Sequence, residues 1–336
     1  MKNFFKNKSI LITGGTGSFG KNFLEYLIRN FRGFKKIIIF SRDELKQFEM
    51  SSKFNEKQYP FIRYFLGDVR DLSRLKLALE DVDYVVHAAA LKQVEAAEYN
   101  PFEVIKTNII GAQNIIDASL SSNKVSKVIS LSTDKAVSPV NLYGATKLCS
   151  DKLFISANNI TGKKNKIFSI VRYGNVMGSR GSVMPFFKKF YYDKNSKLPL
   201  THPEMTRFNI SINKAIELVE IALKKSEGGE IFVSKLKSFY IRKLIEAITK
   251  KKNFYNIVGI RPGEKIHEEL INPAESRNTV EFKNYFTILP NLNEKQIKKY
   301  FQKNKCKLMG SGISYNSGTN KSFMNIRELK NLVEEK

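Results

Sequence analysis

The feature that most constrains the fold is a glycine-rich segment near the amino terminus, T-G-G-T-G-S-F-G-K at residues 13–21. The apolar run at 9–13 predicts a short buried strand before it, and residues 21–30 follow a helical pattern. A strand, a glycine turn and a helix in this order form the context in which a dinucleotide-binding fingerprint is meaningful. The glycines would let the backbone approach a pyrophosphate at the positive end of the helix.

The glycines are spaced G-x-x-G-x-x-G, which is typical of short-chain dehydrogenase/reductase-like folds. A purely structural turn is the alternative, and the flanking strand and helix argue against it. The residues expected to contact the cofactor here are Gly14, Thr16, Gly17, Ser18, Phe19 and Gly20.

The first half of the chain alternates between strand-like and helical patterns, with further strands predicted at 36–40, 64–69, 83–90, 127–131 and 167–172. This alternation predicts an α/β fold, a Rossmann-like doubly wound parallel sheet. Helices are predicted at 101–120, 143–158, 183–192, 212–225, 241–249 and 327–336, with a further helix starting at 267–269. We expect a nucleotide-binding domain at 1–175, with a return segment at about 210–255. Residues from about 176 to 209 and 256–336 would form a smaller C-terminal α/β substrate-binding lobe.

The end of the second predicted strand bears on the choice of cofactor. NAD-preferring sites usually place an acid there for the ribose hydroxyls. Ser41, Arg42 and Lys46 suit a 2′-phosphate instead, so we expect NADP, although Asp43 leaves NAD open.

The candidate catalytic residues follow the predicted strand at 127–131. Thr133, Asp134 and Lys135 would stand at its carboxyl end, where open α/β sheets place their chemistry. Tyr143 and Lys147 are four residues apart, so a helix puts both on one face. A lysine beside a tyrosine lowers the phenol pKa and lets it take a proton from a sugar hydroxyl. A surface tyrosine and lysine are the alternative for this pattern alone.

Charge and composition exclude several classes. The net charge of +25 is carried by scattered lysines without a nucleic-acid-binding motif, so we expect no nucleic-acid partner and interpret the charge as compositional background. No apolar run is long enough to span a membrane, and the two cysteines and three histidines lack disulfide or metal-ligand patterns. A cytoplasmic protein without a metal is expected.

Four polar residues carry weaker predictions. His87, inside a predicted strand, is interpreted as structural. Asn108 either braces the tyrosine region or is a plain polar helix position. Arg207 and Arg261 are candidates for binding a substrate diphosphate, since guanidinium groups pair with phosphate, and a surface arginine is the alternative for each.

Ten stretches together resemble one family, the inverting UDP-N-acetylglucosamine 4,6-dehydratases of pseudaminic acid biosynthesis, which are extended short-chain dehydrogenase/reductases. The match runs from about 8 to 290. The stretches are 13–21, 41–47, G-D-V-R-D (67–71), H-A-A-A-L-K (87–92), S-T-D-K-A (132–136), 141–154, R-Y-G-N-V (172–176), G-S-R-G-S-V (178–183), M-T-R-F (205–208) and R-P-G-E-K (261–265).

The resemblance implies a reaction and roles for its residues. NADP would accept hydride from carbon 4 of UDP-N-acetylglucosamine while Tyr143 removes the hydroxyl proton. Lys135 would then remove the proton on carbon 5, and Asp134 would help protonate the leaving hydroxyl of carbon 6. Retaining relatives have Asp-Glu at 134 and 135, so Asp-Lys carries the claim of inversion. The implied product is UDP-2-acetamido-2,6-dideoxy-beta-L-arabino-hexos-4-ulose.

The resemblance also implies a homo-oligomer and further contacts. Those to the cofactor are Asp68, Val69, Ala88, Ala90 and Val176, beside Tyr143 and Lys147. Those to the substrate are Lys92, Asn175, Arg180, Arg207, Arg261 and Glu264.

The chain departs from the family pattern at Gln93, Glu95 and Asn209, all near the expected sugar pocket. Two other functions stay open at this point. A UDP-sugar 4-epimerase or 4-reductase on the same fold needs no acid/base pair for carbons 5 and 6. A catalytically silent nucleotide sensor or nucleic-acid-binding protein would account for the positive charge.

Overall fold

The computed structural model describes residues 4–178, 183–194, 196–291 and 293–334. Its strands are β1 Ser9–Thr13, β2 Lys36–Ser41, β3 Ile62–Leu66, β4 Tyr84–His87, β5 Lys127–Thr133, β6 Ile167–Tyr173, β7 Asn175–Val176, β8 Leu198–Leu200, β9 Thr206–Ile210, β10 Ile231–Ser234, β11 Lys237–Tyr240, β12 Tyr255–Ile257, β13 Glu269–Ile271, β14 Thr279–Glu281, β15 Tyr285–Ile288, β16 Lys307–Leu308 and β17 Tyr315–Asn316.

The α-helices are α1 Ser18–Asn30, α2 Glu44–Lys53, α3 Leu72–Ala78, α4 Val94–Tyr99, α5 Pro101–Ile105, α6 Gly111–Ser121, α7 Leu142–Ala157, α8 Val183–Lys194, α9 Ile212–Lys225, α10 Ile241–Thr249, α11 Pro273–Ser276, α12 Glu294–Lys303 and α13 Ile326–Glu334. A π-helical turn, Lys106–Ile110, joins α5 to α6, and a 3-10 turn, Asp134–Ala136, follows β5. Within the described ranges, no helix is long and apolar enough to cross a membrane.

The main sheet runs in the order β16-β14-β15-β10-β6-β5-β4-β1-β2-β3. The strands from β10 through β6, β5, β4, β1 and β2 to β3 are parallel. The segment β3-β2-β1-β4-β5-β6 is the order of a doubly wound nucleotide-binding sheet, so the predicted fold class is confirmed.

Alternating side chains of the central strands place one apolar core on each face of this sheet. Leu11 and Val85 lie in the core that includes Phe154 of α7. Ile10 and Val86 lie in the opposite core, which includes Phe23 of α1. Because both faces are covered, the central parallel strands are mostly apolar, as the sequence pattern indicated.

A smaller set of strands lies beside the carboxyl half of the chain. Strands β11, β9 and β7 form a three-stranded sheet, and β12 pairs with β8. A separate core there includes Phe187, Leu200, Phe239 and Leu244. Strands β14, β15 and β16, from a part of the chain assigned to the smaller lobe, extend the main sheet by antiparallel pairing.

Several predicted elements need correction. The strand predicted at 64–69 is β3, so Gly67 to Val69 lie beyond its end, and the strand predicted at 83–90 ends at His87. The helix start predicted at 267–269 is wrong, because Glu269 and Ile271 pair with β17. The helix predicted at 101–120 is interrupted by the π-helical turn, a device often found at functional sites.

Candidate active site

The glycine turn after β1 is built for close approach of backbone to backbone. Gly14 has φ +62°, and a Cβ there would lie 2.9 Å from the Ala89 Cα beyond β4. A Cβ on Gly20 would overlap the Gly15 carbonyl oxygen. Only glycine fits these two positions, because any side chain would push the turn away from the sheet.

The same turn leaves the amino end of α1 suited to a phosphate group. Gly17 is the N-cap residue and supplies no side-chain cap for the first helical N–H groups. Such unpartnered amides and the helix dipole attract anions. Thr16 is buried in the turn, and Ser18 and Phe19 begin the helix. These residues therefore fit the pyrophosphate of a dinucleotide cofactor.

At the end of β2, the predicted 2′-phosphate residues lie among acidic partners. Arg42 lies 3.5 Å from Asp68, and Lys46 forms an ion pair with Asp43. Asp43 is the N-cap residue of α2 and accepts a 2.9 Å hydrogen bond from the Lys46 amide. Ser41 is buried, with its Oγ accepting from Gln47. Asp43, the acidic residue that could have indicated NAD, therefore caps α2.

Farther along this edge, Asp68 and Val69 follow β3, as Ala88 and Ala90 follow β4. The Val69 carbonyl accepts a 3.0 Å hydrogen bond from Asn114 of α6. The amide of Ala88 donates to Thr13 Oγ1 over 3.2 Å, which ties β4 to the glycine turn. The structure thus brings these cofactor candidates to one end of the parallel strands.

Thr133, Asp134 and Lys135 form a connected group at the end of β5. Thr133 donates a 3.0 Å hydrogen bond to Asp134 Oδ1, and Lys135 Nζ lies 3.2 Å from the same oxygen. Asp134 is 0% exposed, and its carboxylate contacts the side chains of these two residues. Burial raises the pKa of the Asp134 carboxyl, although Lys135 opposes the effect.

The closest ion-pair partner of Lys135 among the described residues is Glu268, which the sequence analysis did not single out. Lys135 Nζ lies 3.0 Å from Glu268 Oε1, and Arg207 Nε lies 3.7 Å from the same oxygen. Burial alone would lower the pKa of Lys135, but Asp134 and Glu268 outweigh it and raise the pKa. Glu268 was hidden because it was interpreted as the start of a helix.

Tyr143 and Lys147 lie in the first turns of α7, whose N-cap residue is Asn141. The expectation that lysine lowers the Tyr143 pKa is wrong for the protein alone. Burial raises the pKa of the phenol to about 12, and the opposing effects come from Lys135 and a hydrogen bond with Thr133. Lys147 is 4% exposed, and burial lowers the pKa of its own ammonium group.

Asn108 braces this helix, so the alternative of a plain polar position is excluded. Its side chain exchanges two 2.9 Å hydrogen bonds with the Leu91 backbone. It also donates to Thr146 Oγ1 over 3.1 Å, and Thr146 donates to the Tyr143 carbonyl over 2.8 Å. The π-helical turn thus connects the loop before Lys92 to the helix that carries Tyr143.

A buried charge network lies beneath the site, and the sequence analysis missed it. Arg172 is 1% exposed and contacts Glu275 at 3.0 Å and Asp151 at 3.5 Å. Asp151 accepts a 2.7 Å hydrogen bond from Ser132 beside the catalytic candidates. An arginine at the end of an otherwise apolar strand was the available signal, because such a charge requires buried partners.

The predicted substrate contacts fall into two groups. Arg207 is buried, and its Nη1 donates to the carbonyls of Thr206 and Ile266. Asn175 Oδ1 lies 3.5 Å from Lys135 Nζ, and in the three-stranded sheet Asn175 pairs with Asn209. These residues therefore adjoin the catalytic group.

Two other substrate candidates, Lys92 and Arg261, are exposed. Arg261 is exposed and lies 3.8 Å from Glu95, while its amide approaches Glu264 Oε2 at 3.5 Å. Desolvation of the Lys92 side chain lowers the pKa of its ammonium group. Val176 pairs with Ile210 in the three-stranded sheet, and Arg180 lies outside the described residues.

His87 is confirmed as a structural residue. Its Nδ1 lies 2.8 Å from Thr13 Oγ1, which joins β4 to β1. Burial lowers the pKa of the ring to about 3, with a further contribution from Lys147. The imidazole is therefore neutral at physiological pH.

Comparison with known proteins gives consistent results. Residues 10–290 match the family model described as polysaccharide biosynthesis protein. The UDP-N-acetylglucosamine 4,6-dehydratase (inverting) of Campylobacter jejuni subsp. jejuni serotype O:23/36 (strain 81-176) is 51% identical, with 98% of each chain covered. The UDP-glucose 4-epimerase of Rickettsia bellii (strain OSU 85-389) is 40% identical, over 98% of this chain and 96% of the other.

Among solved structures, the X-ray structure of Pen from Bacillus thuringiensis superposes with a TM-score of 0.88. It is 38% identical, and the match covers 99% of this chain and 98% of that chain. The resemblance to the inverting dehydratases is thereby confirmed over the length of the chain. The chain belongs to the polysaccharide biosynthesis protein family, on the extended short-chain dehydrogenase/reductase fold.

Proposed function

We propose that this protein catalyses the NADP-dependent 4,6-dehydration of UDP-N-acetylglucosamine with inversion at carbon 5. The observation that carries the proposal is the Asp134–Lys135 pair at the end of β5, hydrogen-bonded through Thr133 to the Tyr143 region. An epimerase needs only the tyrosine and the cofactor, whereas elimination of water also needs an acid and a base at carbons 5 and 6. The 51% identity to an inverting dehydratase supports this choice.

The cofactor would be held by the glycine turn, by the amino end of α1 and by Tyr143 and Lys147 of α7. Bound there, NADP would supply the hydride chemistry, an acceptor for the hydride of carbon 4 and a donor for carbon 6. Arg42 and Lys46 would contact the 2′-phosphate, exchanging their carboxylate partners for it. The two cationic side chains at the end of β2, Arg42 and Lys46, support NADP over NAD, because a 2′-phosphate needs positive partners.

Tyr143 would take the proton of the carbon 4 hydroxyl as that carbon is oxidised. Because burial raises the pKa of the phenol, Tyr143 must lose its own proton before it can accept this one, and the positive charge of Lys135 favours that phenolate. Lys147, a few residues along the same helix face, would hold the cofactor ribose beside it. Thr133, at the end of β5, acts on this phenol and lowers its pKa.

The ketone at carbon 4 acidifies the proton on carbon 5, which Lys135 would remove as a neutral amine. For this, the ammonium must first pass a proton to an adjacent carboxylate, and Asp134 is in contact with it at 3.2 Å. The protonated Asp134 would then supply the proton with which the carbon 6 hydroxyl leaves as water. Return of hydride to carbon 6 and of a proton to the opposite face of carbon 5 completes the inversion.

The remaining assignments belong to the same proposal. The nucleotide domain would be residues 1–175 with 210–255, and the smaller lobe would bind the sugar nucleotide through Lys92, Asn175, Arg180, Arg207, Arg261 and Glu264. The protein would act in the cytoplasm as a homo-oligomer, on the route to pseudaminic acid or a related surface-glycan deoxysugar.

Two variants test the assignment. Tyr143→Phe should lose both carbon 4 oxidation and product formation. Lys135→Ala should lose product but retain oxidation of carbon 4, seen as reduced cofactor absorbing at about 340 nm. If Lys135→Ala were as active as the unmodified protein, the elimination role of Asp134 and Lys135 would be wrong, and a 4-epimerase would fit better.

A further inference from the structure

Glu268 is a carboxylate fixed deep in the site by the carboxyl-terminal part of the chain. It is 2% exposed and immediately precedes β13. Its amide donates to Ser317 Oγ over 2.9 Å, and its carbonyl accepts from the Ser317 amide over 2.8 Å. Two hydrogen bonds to Ser317 fix the backbone of Glu268, and this places its carboxylate beside Lys135.

The Glu268 carboxylate joins two cations of different predicted function. Its Oε1 lies 3.0 Å from Lys135 Nζ and 3.7 Å from Arg207 Nε. Its Oε2 has no hydrogen-bond partner among the described residues, and neither does Asp134 Oδ2. Two enclosed carboxylates therefore share Lys135, and each retains an oxygen without a protein partner.

The pKa values of the two carboxylates shift in opposite directions. Burial raises the pKa of Glu268, but Lys135 and Arg207 outweigh it, so the pKa is lowered. Among the described residues Asp134 forms an ion pair with Lys135 alone, so burial prevails and its pKa is raised, with Glu268 adding to the increase. Glu268 is thus the anion of the cluster, and Asp134 is the group that more readily holds a proton.

We propose that Glu268 is a positioning residue for the dehydration, which holds Lys135 and Arg207 together and acts as their counter-ion so that Asp134 can serve as the acid. The inference rests on the proposed function. It adds a third carboxylate to the Asp134–Lys135 pair and connects that pair to an arginine predicted to bind the diphosphate.

The ionisation of this cluster depends on every charged group that faces it. Those groups, from β9, the 3-10 turn, α7 and the segment before β13, are Asp134, Lys135, Tyr143, Arg207, Lys265 and His267. Among them, the negative charge of Glu268 raises the pKa of both Asp134 and Lys135. Removing that charge should lower both values.

The test is the pH dependence of kcat for Glu268→Gln, measured at saturating UDP-N-acetylglucosamine with NADP bound. The limb set by Lys135 should move to lower pH by about one unit or more, because an opposite charge within 4–6 Å shifts a pKa by about 1–3 units. The limb set by Asp134 should move in the same direction, because a like charge is removed. Glu269→Gln is the matched control. Its carboxylate contacts Ser138 and Ser314 outside the cluster, so its profile should not move.

A second variant guards against misfolding of the first. Arg207→Gln removes a positive charge from the same cluster and should move the limb set by Lys135 to higher pH, since Arg207 lowers that pKa. Opposite movements in the two variants would support the proposal. Unmoved limbs in either folded variant would overturn it, as would movement in Glu269→Gln. If the unmodified protein forms no dehydrated product, the proposed function itself fails, which is a separate outcome.

Discussion

Asn108 donates a 3.1 Å hydrogen bond to Thr146, which lies between Tyr143 and Lys147 on α7. Both residues are about 1% exposed, so water does not compete for this contact. Because Asn108 also holds the Leu91 backbone, one amide side chain fixes the active-site helix against the loop that follows β4. The π-helical turn is what places Asn108 between them.

Asn108→Ala should therefore affect both stability and catalysis. Losing these buried hydrogen bonds should lower the free energy of unfolding by about 2–3 kcal/mol, and the misplaced tyrosine should lower kcat by about tenfold or more. Denaturant unfolding and steady-state kinetics measure the two effects. Asn30→Ala is the control. It removes an exposed hydrogen bond from an asparagine side chain to a helix carbonyl, and should change neither stability nor kcat. Unchanged kinetics in a destabilised Asn108→Ala protein would contradict the bracing role.

Arg172→Met should destabilise the protein strongly. The substitution leaves the buried Asp151 and the Glu275 carboxylate without their shared cation, and breaking a buried pair costs about 3–5 kcal/mol. Arg29→Met, which removes an exposed i,i+4 partner of Glu25, is the control and should leave stability nearly unchanged. Equal melting temperatures for the two variants would show that the buried network contributes nothing.

Two glycines with similar backbone angles separate strain from crowding. Gly14 and Gly162 have φ +62° and +56°, but a Cβ would meet Ala89 only at Gly14, and nothing lies within 4 Å at Gly162. Gly162→Ala should cost about 1 kcal/mol of strain and leave NADP affinity unchanged. Gly14→Ala should in addition abolish NADP binding, as measured by calorimetry. If Gly14→Ala bound NADP normally, the glycine turn would not be the cofactor site.

Burial of His87 should make the stability of the protein depend on pH. Burial lowers its folded-state pKa to about 3, below the unfolded value near 6.5. Between these values the unfolded chain binds the extra proton, so stability falls as pH falls, by about 1.4 kcal/mol per pH unit for one proton. His87→Gln should remove this contribution and flatten the free energy of unfolding across pH 4–6. An unchanged slope would mean that other groups control the acid limb.

Glu95 is a departure from the family pattern, and it pairs with Arg261 at the exposed edge of the site. If Arg261 binds the diphosphate, Glu95 competes for it, so Glu95→Ala should tighten UDP binding by about twofold to fivefold at low salt. Glu80→Ala removes the same charge from an exposed position near the end of α3 and serves as the control. Weaker UDP binding by Glu95→Ala would show that the carboxylate contacts the nucleotide instead.

Much of the fold could be predicted from local patterns. The strand at 9–13, the Asn141 cap and the helix carrying Tyr143 follow from hydrophobic period and capping chemistry, which act over a few residues. The interruption at Lys106–Ile110 could not be predicted, because nothing in the local composition separates a π-helical turn from an α-helix.

The residues that the sequence analysis missed depend on long-range pairing. Glu268 meets Lys135 across more than a hundred residues, and Arg172 meets Glu275 in the same way. The direction of the Tyr143 pKa was wrong for a related reason, since burial is a property of the folded chain and outweighs a neighbouring charge. Local spacing identified the catalytic candidates, whereas their electrostatics required the assembled site.

Proton NMR of the purified protein with UDP-N-acetylglucosamine and NADP in deuterated water tests the central claim most directly. The account predicts a new methyl signal from carbon 6, with deuterium at carbon 5 and the L-arabino configuration. A methyl signal with retained configuration would contradict the inversion assigned to Lys135. Interconversion with the galacto sugar and no methyl signal would contradict the dehydratase as a whole.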